Sequence, residues 1–269
     1  MKLKTILIIF NVLIGLSFLF VFLMPAFFLG WDYAGVFWKT NWYLAVLFAA
    51  VFVILNTYFA GNWKLFSALE REDWRAVSEV LEQRVYKRRD YSRGNVRLLV
   101  NAYVVLSEIE KISALETELR KKSYRAMKKN ALVLGIPHLL SNDGAEIASY
   151  YGEFIDQNGA TESDWMRWCN AFGLMLQQRT EDARYALKEL CAHAKDTIVR
   201  GLSAYLLDAY AQHDTEDTDR ISNCRKEITD RYDRSRWRNK VENERANLYV
   251  LILGKLIRDV EEWLYGEQR

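Results

Sequence analysis

Apolar positions along this chain fall into two regimes. From Thr5 to Trp31 no residue is charged, and Ile6 to Leu29 contains 18 Leu, Ile, Val or Phe. Each of these is favourable by roughly 0.3 to 0.6 kcal/mol near a bilayer centre, so the run predicts a transmembrane helix. A second uncharged run, Thr40 to Trp63, is again long enough, because about 20 helical residues cross a hydrocarbon core of roughly 30 Å. The expected first unit is a membrane hairpin over residues 1–61, with spans near 5–30 and 41–61 and a short outer loop at 31–40. A cleaved signal peptide fits less well. The first run exceeds a signal core of about 7 to 15 residues, and it ends in "PAFFLGWDY" without a small-x-small site.

Beyond residue 61 the period changes. Trp74, Val77, Val80, Leu81 and Val85 recur at intervals of three and four, as do Leu98, Leu99, Ala102, Tyr103 and Leu106. Both sets predict amphipathic helices. With only Pro25 and Pro137 in the chain and no sustained period-two alternation, strands are not expected. The fold class is all-α.

These helices group in pairs joined by short polar turns. "NWKLFSALE" pairs with "DWRAVSEVLEQRVYKRR", and its helix can continue out of the second span through Gly61. "GNVRLLVNAYVVLSE" pairs with "IEKISALETELRKK", so that Ala76, Val77 and Leu81 recur as Ala114, Leu115 and Leu119. After an irregular stretch around "GIPHLLSNDG" come "ESDWMRWCNAFGLMLQQ" with "TEDARYALKELCAHA", then "DTIVRGLSAYLLDAYAQ" with "DTDRISNCRKEITDRY". A last helix is expected from about Glu242 to Tyr265, its apolar face made by Leu253, Leu256, Ile257, Val260 and Leu264. Residues 233–269 then form a C-terminal capping region, since an open array end exposes apolar surface.

The alternation resembles a tetratricopeptide-type helical array, whose repeats of about 34 residues place small residues where paired helices touch. The resemblance covers about residues 62–232 and rests on three features: Ala76 followed by Val80, Ala183 followed by Leu187 and Leu190, and Trp165, Trp168 and Phe172 in the preceding helix. Its spacings run longer than the family's, Cys169 stands where glycine is usual, and the closing proline is absent. What the resemblance implies is an α-solenoid whose leading helices line a concave protein-binding surface. Carried onto this sequence, Arg97, Asn101 and Asn170 are the candidate partner-binding residues.

Charge sets the orientation. Lys2 and Lys4 precede the first span and Lys64, Arg71 and Arg75 follow the second, whereas the connecting loop carries Lys39 and Asp32. Basic flanks remain inside, so both termini are expected in the cytoplasm of a bacterial-type inner membrane. Trp31, Tyr33, Trp38, Trp42 and Tyr43 suit the headgroup layer on the outer side. Of the 37 Lys and Arg and the 35 Asp and Glu, all but Lys2, Lys4, Lys39 and Asp32 lie beyond residue 61, 34 of each sign. Such neutrality disfavours a nucleic-acid partner. Three cysteines, Cys169, Cys191 and Cys224, form no Cys-x-x-Cys motif and fit reduced thiols.

Catalytic motifs are missing. The sequence has no phosphate-binding Gly-Lys-Ser/Thr ending, no Gly-x-Ser-x-Gly elbow and no His-Glu-x-x-His helix, so no cofactor and no enzymatic activity are expected. Cys191 and His193 point to different helix faces, with His138 and His213 in other segments. The carboxylate pairs Asp217/Asp219 and Glu261/Glu262 read as solvated faces, and the Trp165, Trp168, Phe172 stripe as core. Among three basic clusters, the one nearest the membrane, Arg84, Lys87, Arg88, Arg89 and Arg93, is the candidate contact for anionic lipid headgroups. The other two span Arg120 to Lys129 and Arg231 to Lys240.

Within the hairpin, Asn11 and Asn56 lie roughly 8 to 9 Å from the cytoplasmic boundary at 1.5 Å per residue. At matched depth they can satisfy one another, with Gly15, Ala45 and Ala49 allowing close approach. The expected function is a membrane-anchored scaffold that binds a protein partner on the cytoplasmic side. Its alternative is a structural protein that self-associates into homo-oligomers. A transporter is disfavoured, because two charge-free spans offer no ionisable group for an ion path.

Overall fold

The computed structural model describes residues 3–155, 160–210 and 215–266. Every regular element among them is helical, and the chain divides into two compact units, Met1–Arg89 and Asp90–Arg269.

The first unit holds α1 (Leu3–Leu29), α2 (Trp31–Thr40), α3 (Trp42–Glu70) and α4 (Trp74–Glu82), the last running on into a π-helical turn, Gln83–Lys87. Both α1 and α3 are long and apolar enough to cross a membrane. Almost nothing in their apolar windows is buried by protein: Phe20 is 68% exposed and Ile54 66%. The segment at 31–40, expected as a loop, is the helix α2. Gly30, at φ +87°, makes the reversal that L-residues resist. Ala34 is buried, and Trp38 stacks on Phe22 at 4.7 Å while its indole N–H donates to the Phe22 carbonyl at 3.1 Å. This packing draws the connector into a helix folded back on the end of α1.

After its apolar window α3 continues unbroken through Gly61 and Asn62 to Glu70. A three-residue turn comes next, with Glu72 at φ 54°, and the Asp73 carboxylate caps α4 by accepting from the Ala76 amide at 3.0 Å. Leu65 and Ala68 of α3, Val77 and Leu81 of α4, and Val85 beyond it are buried, which completes the first helical pair.

The second unit contains α5 (Arg93–Val105), α6 (Ile109–Lys122), α7 (Tyr124–Leu134), α8 (Ile136–Ser141), α9 (Gly144–Phe154), α10 (Ala160–Leu176), α11 (Thr180–His193), α12 (Thr197–Tyr210), α13 (Thr215–Arg231), α14 (Arg234–Asn243), α15 (Leu248–Ile252) and α16 (Gly254–Tyr265). From α9 to α13 each helix lies against its neighbours in sequence, and α5, α6, α7 and α8 pack in the same local manner. Trp165 and Trp168, at most 1% exposed, form the centre of the core with Tyr151, Phe154 and Tyr249. The Trp165 indole also donates to Asp196 at 2.9 Å, and Asp196 in turn caps α12 through the Ile198 amide at 2.8 Å.

Two expectations change here. The irregular stretch is helical: α8 follows α7 directly, Asn142 at φ 57° ends it, and Asp143 caps α9 through the amides of Ala145 and Glu146. The single last helix is in fact two, α15 and α16, preceded by α14, which ends at Asn243. Asn247 turns its side chain onto the Tyr249 amide at 3.1 Å, offering the backbone an alternative to helix. That break lets Tyr249 enter the core, while α16 buries Ile257, Val260 and Leu264 and lies against α12, α13 and α14.

At the crossing of α9 and α10 the two backbones touch. A Cβ on Gly173 would lie 2.6 Å from the Ala148 nitrogen, and one on Gly144 would lie 2.7 Å from the Gly173 oxygen. On either side of this contact α10 and the turn after it donate to carbonyls of α9: Asn170 to Ala148 and Gln177 to Gly144, each at 2.8 Å.

Candidate partner-binding surface and membrane contacts

Asn11 and Asn56 meet within the hairpin. The Asn56 amide donates to the Asn11 side-chain oxygen at 2.8 Å and to its own Phe52 carbonyl at 2.9 Å, and both residues are half-buried. Aromatic contacts flank the pair, Phe10 with Phe59 at 6.2 Å and Phe18 with Phe48 at 5.6 Å. The small residues play a different part from the one expected. A Cβ on Gly15 would meet nothing within 4 Å, and Gly15 and Ala49 instead line an apolar cleft of about 270 Å³ with Ile14, Phe18, Phe48 and Phe52. Bulky phenylalanines hold the helices apart at this level, so the small residues open space instead of closing it.

The basic cluster from Arg84 to Arg93 divides. Arg84 is an internal clamp, donating to the Asn62 side chain at 2.7 Å and to the Gly61 carbonyl at 3.4 Å on α3. Its role in packing explains why it is only half exposed. Arg93, beyond the unit boundary, pairs with Glu162. Lys87, Arg88 and Arg89 remain exposed, the last held at φ 54°.

Several charges of the other two clusters are paired with acidic neighbours. Arg120 and Lys122 pair with Glu116 and Glu118, and Arg234 and Arg238 converge on Glu261. Glu261 is therefore no solvated carboxylate: against the opposing effect of burial, the bonds from Arg238 and Arg234 hold its pKa below the ordinary range. Asp217, likewise read as solvated, is wholly buried between Arg184 and Lys188 of α11. Spacing along a helix indicates which charges share a face, but the opposing helix decides whether that face meets water.

Arg97 and Asn101 lie on α5 and are half-buried. Burial, reinforced by Arg93, lowers the Arg97 pKa. Among the described residues Arg97 has no hydrogen-bond acceptor, and the Asn101 side-chain oxygen is buried without a donor. These are groups with bonding capacity left over. Asn170 does not join them, because its amide is engaged by Ala148 in the α9–α10 contact.

Sequence reading missed a charged network at the junction of α6, α8 and α9. His138 lies between two carboxylates, with Nε2 2.7 Å from Glu116 and Nδ1 2.6 Å from Glu146. Its ring stacks on Tyr150 at 4.1 Å. Glu116 also accepts from Arg120 at 2.7 Å, and Arg120 reaches Glu153, which takes a further bond from the Tyr124 hydroxyl at 2.9 Å. Burial pulls the His138 pKa down, but the bonds and charges of Glu116 and Glu146 outweigh it and the net shift is upward. A lone histidine in an irregular stretch carried no sign of this, although Glu146 eight residues on was visible.

A second hidden feature is the tyrosine pair Tyr151 and Tyr249, whose hydroxyls are 2.6 Å apart. The Tyr151 hydroxyl lies 2.7 Å from the Gly135 carbonyl and the Tyr249 hydroxyl 2.5 Å from the Leu132 carbonyl, so two phenol protons serve three contacts at the end of α7. Complete burial pushes both phenol pKa values well up and keeps them neutral. Among the described residues no group of three or more His, Cys, Asp or Glu side chains is placed to hold a metal ion.

Residues 111–266, from α6 to the end of α16, match the family described as "Uncharacterised Treponema protein". The chain belongs to that family. A relative from Treponema pallidum (strain Nichols), described as an uncharacterized protein, is 27% identical over 288 residues, an alignment that takes in 98% of this chain and 88% of the relative. The similarity therefore extends to the apolar helices as well as to the helical unit. No solved structure matches. His138, Glu146, Tyr151, Tyr249 and the Gly144–Gly173 crossing all lie within the matched region, whereas Arg97 and Asn101 precede it.

Proposed function

We propose that this family member is a two-pass membrane protein whose cytoplasmic helical array is a scaffold for binding another protein. The observation that carries the anchor is the pair of apolar helices, α1 and α3, which present nearly bare hydrophobic surface and are joined at an intramembrane Asn11–Asn56 bond. In water such surface would drive association, and an amide pair of this kind serves best in lipid. α3 then continues without a break into the polar helical pair that it forms with α4, capped by Asp73, so the anchor and that pair share one helix.

The array reading rests on helices α9 to α13, which pack on their sequence neighbours in the manner of a solenoid. Arg97 and Asn101, with unused hydrogen-bonding capacity on α5, are the binding residues this reading retains. Anchoring raises the local concentration of such a site at the membrane and converts modest affinity into occupancy.

Two measurements test the proposal in cells. A reporter active only outside the cytoplasm, fused after Arg269, should be silent; activity would overturn the topology. A photo-crosslinking amino acid at position 97 or 101 of the full-length chain should capture a different protein. Adducts formed only with a second copy of the chain would replace the scaffold by a self-associating structural protein, and no protein adduct from either position would remove the α5 surface from the proposal.

A further inference from the structure

Cys191 on α11 and Cys224 on α13 are 3% and 4% exposed and line one cleft where the two helices meet. Both are free thiols. Arg200 of α12 brackets them: its Nε donates to the Cys191 carbonyl at 3.1 Å, and the Cys224 sulfur lies 3.9 Å from the Arg200 carbonyl. The pair lines a cleft of about 220 Å³ shared with Lys188, Arg200 and Arg220, so small polar solutes have access to it. Cys169 is buried elsewhere, beside Tyr151.

We propose that Cys191 and Cys224 form a redox modification site that closes to a disulfide on reaction with a small hydroperoxide. Arg200 favours a thiolate at this pair, since its positive charge opposes the effect of burial at both sulfurs. With Cys224 as the attacking thiolate the steps are these; exchanging the two sulfurs leaves the product unchanged.

The Cys224 thiolate attacks one oxygen of hydrogen peroxide, the O–O bond breaks and hydroxide leaves, which oxidises Cys224 to the sulfenic acid. The Cys191 sulfur then attacks the Cys224 sulfur. The S–O bond breaks, and the Cys191 proton leaves with the hydroxyl as water. The proton that Cys224 lost on ionising converts the first hydroxide to water. Two thiols are oxidised by two electrons in total, and one peroxide is reduced to two waters. The product links α11 to α13 and closes the chain around α12.

Full-length protein in detergent, treated with a tenfold excess of hydrogen peroxide, should fall from three reactive thiols per chain, counted after unfolding, to one. Peptide mapping under non-reducing conditions should find Cys191 joined to Cys224 within one chain, and dithiothreitol should restore all three thiols. In Cys169→Ser the same two thiols should be lost, and in Cys224→Ser no disulfide should form. Retention of three thiols, a bond involving Cys169, or a bond between chains would each overturn the site. Because the wild-type mapping stands alone, a misfolded variant would not shelter the proposal. The membrane reading above is independent of this outcome.

Discussion

Asn56 donates a 2.8 Å hydrogen bond to Asn11 between α1 and α3, each residue lying within an uncharged run of its helix. Polar pairs of this kind average only about 0.6 kcal/mol in membrane proteins. In the proposed membrane anchor their main effect is on register, because sliding either helix would strand two amides in hydrocarbon. Cysteines at 11 and 56, in a chain lacking the three native cysteines, should cross-link under mild oxidation faster than cysteines at 10 and 56. Equal yields would place the contact on other faces.

The His138 bracket makes stability depend on pH in two directions. The His138 pKa is raised, so its stabilisation is complete below the ordinary histidine value of about 6.5 and is lost as pH rises through the higher folded value. Glu116 is lowered: burial opposes ionisation, but the bonds from His138 and Arg120 prevail. Its contribution is complete above the ordinary carboxylate value and is lost as pH falls through the lower folded one. Denaturation midpoints should fall between pH 6 and pH 8.5, and the fall should be smaller in His138→Gln. His138→Ala should cost about 1 to 3 kcal/mol at pH 6, because Glu116 loses a buried partner. Parallel pH profiles for wild type and His138→Gln would show that the bracket does not set this dependence.

Gly173→Ala should weaken the second unit. The new Cβ meets the Ala148 nitrogen at 2.6 Å, and a backbone atom cannot swing aside as a side-chain tip can. Forcing α9 and α10 apart also stretches the bonds from Asn170 and Gln177. The expected loss is about 1 to 3 kcal/mol, the usual range for overpacking. An unchanged thermal midpoint would mean that the crossing is looser than its geometry.

Removing residues 246–269 should leave an insoluble or partly unfolded chain, since it uncovers the surfaces that Ile257, Val260 and Leu264 bury and takes Tyr249 from the core. The milder change Tyr249→Phe removes only the hydroxyl bonded to Leu132 and Tyr151. It should cost about 1 to 2 kcal/mol by leaving a buried carbonyl short of its donor. A truncated chain as soluble and cooperative as the parent would show that α15 and α16 are not needed to complete the core of the second unit.

Asp217→Ala should be more damaging than its place among surface-patterned charges suggests. Arg184 and Lys188 are each 18% exposed, and the substitution removes a carboxylate that both contact. Breaking a buried ion pair from one side costs on the order of 3 kcal/mol. Asp219→Ala, two residues on at an exposed position, should lie within about 0.5 kcal/mol of wild type. Equal effects at the two positions would mean that the buried pairing contributes nothing.

The features legible in the sequence were those with a local period. Uncharged runs of more than 20 residues identified α1 and α3, and apolar spacing of three and four identified α4, α5, α6 and α10 to α13, whereas α7, α8, α9 and α14 were not read as helices. Capping chemistry was equally local at Asp73 and Asp143, each followed within three residues by the amide it accepts from. What only the tertiary structure decided was which faces meet. Tyr249 is 117 residues from Leu132, and His138 is 22 from Glu116, separations at which no helical period correlates positions. Asp217 and Asp219 look alike in sequence, yet one is sealed between two cations and the other lies in water. Burial is a property of the neighbouring helix as much as of the residue itself, and periodicity within a single helix carries no information about its neighbour.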